Sequence, residues 1–269
     1  MATRWGICSA GKISHDFVVA LKTLPREEHQ VVAVAARELG WAQDFANRHD
    51  IPRAYGSYQE LAQDKDIERA LWGERSRQAL FSVADVVYLG TIHPQHHPVG
   101  LLFLRAKKNL LCEKPLAMNM REVLELTAAA RENDVFLMEA LWTRYFPASI
   151  QISDVLAQGV LGEVKLVRVE FGMPMLDVSR AVKKELGGVD EAMTVVLRFS
   201  SNRMAVCICT ISVQLPNEAF IFGTKGTIKV KIDGLKQSPR MMLEDTALLT
   251  SIRDEARRQV GVVYCQDAE

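Results

Sequence analysis

The chain has 269 residues, of which 48% are hydrophobic and 25% charged, and its 33 basic side chains balance its 33 acidic ones. This length allows a large core and two domains, and the zero formal net charge gives no basic surface for nucleic acid or for an anionic membrane. No apolar run approaches the roughly 20 residues of a membrane span, and the N-terminus enters a strand pattern at once, without room for a signal peptide, so we expect a cytoplasmic protein.

The cysteines support the same compartment. Their number is odd, several lie inside apolar strand-like runs, and no pair has the spacing of a zinc site. We interpret them as reduced thiols. They are Cys8, Cys112, Cys207, Cys209 and Cys265.

The N-terminal segment predicts a strand, a glycine turn and a helix. A strand over residues 4–9 is followed by Gly11 and by a helical pattern over residues 13–24. Such a turn aims backbone N–H groups and a helix N-terminus at a pyrophosphate. The usual fingerprint has three glycines, whereas this chain has Ser9, Gly11 and Ser14. A plain strand-to-helix turn therefore remains an alternative.

The second strand points to the type of cofactor. Residues 30–36 form an unbroken apolar run, which is typical of a strand buried on both faces. Arg37 follows, at the place where an NAD site carries an acid for the ribose hydroxyl, and an arginine there suits the 2′-phosphate of NADP instead. A surface arginine that caps the strand end is the alternative. Together with the glycine turn, we favour NADP.

The next segments continue the alternation. A helix is predicted over residues 41–49, an extended piece over 54–55, and a second helix from Ser57, which has capping-box spacing to Glu60. Residues 68–82 fit neither neighbour.

Three histidines follow the next predicted strand, residues 84–90. Thr91-Ile-His-Pro-Gln-His-His97 leads into a helix predicted over residues 99–106. No carboxylate or further histidine lies at a natural ligand offset, so we favour a turn near the nicotinamide half of a cofactor over a metal site.

A short apolar run then ends abruptly in Glu113, Lys114 and Pro115. The run predicts a buried strand and the proline its end. An anion and a cation would thus lie at the carboxyl end of a strand, where open α/β sheets bind ligands. An exposed pair that aids solubility is the alternative.

The remaining pattern completes two domains. A helix over residues 119–133 and a strand over 135–140 extend the strand–helix alternation, which predicts a doubly wound parallel sheet over residues 1–140. The second half predicts an α+β domain with a mostly antiparallel open sheet. Its predicted helices cover residues 148–158 and 247–260, and its strands cover 162–171, 193–199, 204–213, 219–223 and 227–232.

Four motifs together resemble the Gfo/Idh/MocA oxidoreductases. They are the glycine turn with Ile13-Ser14, the Thr91-x-His93-Pro94-x-His96 turn, Glu113-Lys114-Pro115, and Glu-Ala-Leu-Trp-Thr-Arg at residues 139–144. The resemblance implies an NADP-binding Rossmann domain over residues 1–140 and a truncated substrate and dimerisation domain over 141–269. It also implies a homodimer formed through the C-terminal sheet. The implied reaction is hydride transfer to NADP from a secondary alcohol of a small diol or sugar, either a trans-dihydrodiol or a D-xylose-type aldopyranose.

Site residues follow from the same resemblance, position by position. Lys114 would be catalytic, because an amine beside the nicotinamide helps to remove the hydroxyl proton as hydride leaves the carbon. No metal is implied. The implied cofactor-binding residues are Ser9, Gly11, Ile13, Arg37, Thr91, His93, Pro94, His96, Glu113, Pro115, Trp142 and Arg144.

The chain departs from the family pattern in three places. Residues 68–82 look inserted. The family's Gly-Gly-x-Leu-x-Asp-x-Gly-x-Tyr-or-His segment, whose last residue is the acid/base partner of the catalytic lysine, is missing after Gly188, and a further block is missing after Ile228. Two alternatives to a competent enzyme follow: an NADP-binding variant with impaired catalysis, and a chain that does not fold stably.

Overall fold

The structure, a computed structural model, describes residues 2–64, 86–174 and 191–231. These residues form two compact units that meet in sequence at Leu141 and Trp142. The predictions for residues 68–82, the missing segment after Gly188 and the helix over 247–260 lie outside the described residues.

The first unit alternates strands and helices along its described sequence. Its strands are β1 (Thr3–Cys8), β2 (His29–Ala35), β3 (Ala54–Tyr55), β4 (Val86–Leu89), β5 (Asn109–Glu113) and β6 (Leu137–Ala140). Its helices are α1 (Lys12–Leu21), α2 (Leu39–His49), α3 (Tyr58–Gln63), α4 (His96–Arg105) and α5 (Met120–Glu132). The strands pair in the order β3-β2-β1-β4-β5-β6, and every pair is parallel. This confirms the doubly wound sheet, whose strand order reverses between β1 and β4.

Apolar side chains cover both faces of this sheet. One cluster contains Leu61, Phe103 and Leu126 from α3, α4 and α5, and the other contains Val18 and Phe45 from α1 and α2. The last four residues of β2 are buried, as expected for a strand that is covered on both faces.

Some element ends differ from the predictions for local reasons. Helix α4 begins at His96 and not at residue 99, because a 3₁₀ turn over His93–Gln95 with proline in its first turn runs directly into it. Helix α1 ends at Leu21 and not at Leu24, because the N–H groups of Thr23 and Leu24 bond to carbonyls three residues back. Such bonds tighten and end an α-helix.

The second unit contains a helix and an open mixed sheet. These elements are α6 (Pro147–Ala157), β7 (Val164–Gly172), β8 (Ala192–Phe199), β9 (Arg203–Thr210), β10 (Glu218–Gly223) and β11 (Thr227–Lys231). The order is β11-β10-β7-β9-β8, in which β7 and β9 are parallel and the other pairs antiparallel. A tight turn at Ser201 and Asn202, both at positive φ, joins β8 to β9. Within these five strands only Gly172 and Ala205 are buried.

No described helix combines the length and the apolar character that crossing a bilayer requires.

Gly90 allows α1 to approach the end of β4 closely. A Cβ atom at this position would lie 2.5 Å from Ser14 Oγ and 3.0 Å from the Tyr88 ring. Ser14 occupies the third position of the fingerprint, where glycine normally permits close packing of helix and strand. In this chain the small side chain of Ser14 and the lack of a side chain at Gly90 together permit α1 to pack closely against β4.

We expect Gly90→Ala to lower the free energy of unfolding by about 1–3 kcal/mol, because the added methyl group overpacks the contact with Ser14. Gly40→Ala is the matched control, because nothing lies within 4 Å of the added methyl in α2. That change should stabilise the protein by about 0.5–1 kcal/mol. Urea unfolding of both variants measures the two effects, and equal effects would contradict this account.

Candidate dinucleotide-binding site

The turn between β1 and α1 keeps the backbone shape of the glycine fingerprint. Ser9 has φ 91°, a conformation that glycine adopts readily and serine rarely. Its N–H donates to the carbonyl of Ala35 at 2.8 Å, which ties this turn to the end of β2. Strain of this kind persists where the surrounding structure enforces it, and it is typical of ligand sites.

The N-terminus of α1 is open to an anion. Gly11 is its N-cap, no side chain caps it, and its first turn carries no acidic residue. The first N–H groups of a helix have no partner within the helix and attract negative charge. Ile13 lies in this first turn and is partly exposed.

The turn after β4 is tied to the segment after β5 by His96. This side chain is 1% exposed, and its Nδ1 and Nε2 atoms lie 2.7 Å from the carbonyl of Pro115 and 3.0 Å from that of Thr91. Burial lowers the pKa of His96, and a neutral ring can donate to only one of these carbonyls. The Thr91 hydroxyl is buried without a hydrogen-bond partner. His93 is exposed and Pro94 half-buried in the same turn.

Glu113 is a buried carboxylate at the end of β5. Its Oε1 accepts a hydrogen bond from the Tyr88 hydroxyl at 2.8 Å, and its Oε2 accepts one from the Lys114 N–H at 3.1 Å. Burial raises the pKa of Glu113, whereas these two hydrogen bonds favour its charged form. The interpretation of Glu113 and Lys114 as an exposed pair is therefore wrong, since Lys114 alone is exposed. The Lys114–Pro115 peptide bond is cis.

A second buried carboxylate supports the same segment. Glu139 of β6 accepts a hydrogen bond from the N–H of Leu116 at 2.9 Å. Neither Tyr88 nor Glu139 was predicted from the sequence to support the site. The available signal was a polar or charged residue inside an otherwise apolar strand, since such residues are rarely buried without a partner.

Most of the predicted site residues thus follow the carboxyl ends of β1, β2, β4 and β5, which meet at one edge of the first unit. Arg37 is exposed just beyond β2. Trp142 and Arg144 lie instead in a 3₁₀ turn of the second unit, where Trp142 makes an edge-to-face contact with Phe146.

Metal-ligating side chains do not cluster in the described ranges: no three His, Cys, Asp or Glu residues there are placed to share an ion. Of the three neighbouring histidines, His97 instead pairs with Glu125 of α5 at 2.7 Å.

A parallel sheet in this strand order, with an open helix N-terminus at its switch point, defines a dinucleotide-binding α/β protein. Residues 3–141 match the Gfo/Idh/MocA family, an oxidoreductase family with an NAD-binding Rossmann fold. The trans-1,2-dihydrobenzene-1,2-diol dehydrogenase of Danio rerio is 49% identical, over the whole of both chains. The chain therefore belongs to the Gfo/Idh/MocA family of NAD(P)-binding oxidoreductases.

Solved structures of low sequence identity share the fold. A mutant 3-ketoreductase from Actinomadura kijaniata, in complex with TDP-benzene and NADP, has a TM-score of 0.71 at 20% identity and covers 96% of this chain and 98% of its own. A levoglucosan dehydrogenase in complex with NADH and levoglucosan also has a TM-score of 0.71, at 16% identity, and covers 86% and 74%. Solved structures of this fold thus include complexes with NADP and with NADH.

The comparison with the Danio rerio relative shows that this chain lacks internal positions, and their predicted locations after Gly188 and after Ile228 stay predictions. The alignment with the Danio rerio protein spans 351 positions, whereas this chain has 269 residues, so at least 82 aligned positions hold no residue of this chain.

We expect Tyr88→Phe to destabilise the protein by about 1–3 kcal/mol at neutral pH, because it removes a donor from a buried carboxylate. Losing that hydrogen bond raises the pKa of Glu113 further above its unfolded value. The destabilisation should therefore shrink as the pH falls through the folded-state pKa and Glu113 becomes neutral. Unfolding measured from pH 4 to 8 tests the trend.

The matched background is Glu113→Gln, because an amide at this position cannot ionise. There Tyr88→Phe should cost the same at every pH. A pH trend that survives Glu113→Gln would show that another group is responsible.

Proposed function

We propose that the chain binds NADP and oxidises a secondary alcohol of a small diol or of an aldopyranose, with Lys114 as the catalytic residue. The observation that carries this proposal is the position of Lys114. It is exposed at the end of β5, and its neighbours are held by buried partners: Glu113 by Tyr88, and Pro115 by His96. A flexible amine on a fixed backbone suits proton transfer to and from a bound alcohol.

The residues at this edge fit a dinucleotide. The strained Ser9 turn and the uncapped α1 offer N–H groups to a pyrophosphate, and the buried Thr91 hydroxyl lacks a partner within the described structure. Arg37 suits a 2′-phosphate. The other cofactor-binding residues that we propose are Gly11, Ile13, His93, Pro94, His96, Glu113, Pro115, Trp142 and Arg144. When bound, NADP supplies the acceptor for the hydride.

Lys114 has one chemical task in this proposal. Its Nζ atom accepts the hydroxyl proton of the substrate while the C–H bond of the same carbon gives up its hydride, and the product is a carbonyl compound. Glu113 acts through the backbone, because its carboxylate accepts the N–H of Lys114 and fixes the direction in which that side chain leaves the strand. Lys114 must be neutral when the proton moves.

The name of the Danio rerio relative supports a trans-dihydrodiol as substrate. The aldopyranose rests on the motif resemblance alone.

The second candidate is an NADP-binding protein with impaired turnover. The missing Asp-x-Gly-x-Tyr segment favours it, because lost acid/base help typically costs about a hundred- to ten-thousand-fold in rate. The complete set of first-unit site residues is compatible with either candidate, so a binding measurement and a rate measurement are both needed.

We expect slow NADPH formation when the purified chain is mixed with NADP and a trans-dihydrodiol or D-xylose, and Lys114→Ala should abolish it. Absorbance at the NADPH band measures the rate. A melting temperature that rises with NADP in both chains shows that the loss lies in catalysis. Turnover that Lys114→Ala leaves intact would overturn the role of Lys114, and binding without any turnover would favour the impaired variant.

We also propose a cytoplasmic homodimer that associates through the C-terminal sheet. The described cysteines are free thiols, which suits a reducing compartment. Val196 and Met204 lie on one face of the sheet, because Val196 pairs with Val206, two residues beyond Met204, and both are exposed, at 59% and 42%. Exposed apolar side chains that share a sheet face are typical of an interface.

We expect Val196→Asp combined with Met204→Asp to convert the dimer to a monomer, because the two charges would be buried at the interface without partners. Phe199→Asp is the control on the opposite face, since Phe199 pairs with Arg203. Sedimentation velocity separates the two states. A wild-type chain that sediments at 30.1 kDa would contradict the proposal.

A further inference from the structure

We propose that Trp41 positions Arg37 for a phosphate at the nucleotide 2′-position and thereby sets the preference of this chain for 2′-phosphorylated nucleotides. This inference rests on the proposed binding of NADP and names a residue that the motif resemblance does not assign.

The contact between the two side chains is a cation–π interaction. The Arg37 guanidinium carbon lies 5.8 Å from the centre of the Trp41 ring, within the range of about 6 Å in which such pairs attract. Arg37 follows β2 and Trp41 lies in the first turn of α2, four residues later. The start of α2 therefore places an indole ring beside the guanidinium at the carboxyl end of β2.

Trp41 contributes little to the core of the first unit. Its side chain is 50% exposed, whereas the core of α2 is formed by Ala42, Phe45 and Ala46. Tryptophan is usually largely buried, so a half-exposed ring against an arginine calls for an explanation outside the core.

An aromatic partner, unlike a carboxylate, leaves the N–H groups of Arg37 available to a ligand. Across residues 2–64, 86–174 and 191–231, no carboxylate forms an ion pair with Arg37. A carboxylate would occupy the N–H fork of the guanidinium, whereas an aromatic face attracts the cation without accepting those N–H groups. Arg37 is thus held in place with its donors free for a phosphate, which it can bind in bidentate fashion.

Tyr58 lies near both Arg37 and the fingerprint turn. Burial raises the pKa of Tyr58, while the positive charge of Arg37 and the side chain of Ser9 favour the ionised phenol. Helix α3 fixes Tyr58, because Ser57 caps the N–H of Glu60 at 3.2 Å. Arg37 therefore lies within electrostatic reach of the turn that we assign to the pyrophosphate.

Trp41 should affect the affinity for nucleotides because it positions Arg37 before they bind. An exposed arginine samples many rotamers, and a ligand that fixes it must offset the lost entropy. The Trp41 ring restricts those rotamers before binding. Its removal should weaken nucleotides that carry a 2′-phosphate and leave other nucleotides unchanged.

The test uses two probes that bind without turnover. Calorimetric titration of the full chain with adenosine 2′,5′-bisphosphate and with adenosine 5′-monophosphate gives the selectivity for the 2′-phosphate. We expect Trp41→Leu to lower the affinity for the bisphosphate about 2–5-fold, the size of an exposed cation–π contact, and to leave the monophosphate unchanged. Trp41→Phe should retain most of the affinity.

A double-mutant cycle separates positioning from a merely structural role. In an Arg37→Ala background, Trp41→Leu should have no further effect on either probe. Phe136→Leu is the matched control, because Phe136 is 52% exposed and precedes β6 at the opposite edge of the sheet. It should change neither affinity.

The outcomes distinguish the two proposals. A wild-type chain that binds both probes equally would overturn the proposed NADP preference and this inference with it. A wild-type preference that Trp41→Leu leaves intact would overturn the role of Trp41 alone. A loss of affinity that is the same with and without Arg37 would assign Trp41 a direct contact with the base and would likewise reject positioning.

Discussion

The burial of Glu113 is the constraint on which the candidate site at the carboxyl ends of the strands depends. A carboxylate inside a sheet costs several kcal/mol unless donors surround it, and here the Tyr88 hydroxyl and the Lys114 N–H supply them. The same two bonds fix the backbone where the lysine leaves β5. Stability and the placement of the catalytic candidate are therefore one requirement, satisfied by β4 and β5 together.

Neighbouring strands extend this support to the rest of the edge. His96 joins the turn after β4 to Pro115, and Glu139 of β6 holds Leu116. Ser9 is tied to the end of β2. Each of these contacts connects two segments that are far apart in sequence and adjacent only because the strands are parallel. The exposed side chains of Lys114 and Arg37 extend from this fixed backbone.

The two units differ in how well their sheets are buried by the described residues. The parallel sheet of the first unit is covered on both faces and contains both apolar clusters. The strands of the second unit bury few residues, and the relatives carry at least 82 positions that this chain lacks. The family model thus matches the first unit, residues 3–141.

The sequence by itself determined the alternation of strands and helices, the glycine turn, the Glu-Lys-Pro motif and the family, because each depends on residues close together in the chain. It even located Arg37 at the end of β2. Only the tertiary structure decided that Ser9 keeps a glycine-like φ, that Ser14 fits against Gly90, and that Glu113 is buried beneath an exposed Lys114. The same holds for Tyr88, Glu139 and Trp41. Their roles arise from contacts across the sheet and at helix starts, and side-chain direction and burial at such contacts are not encoded in local periodicity.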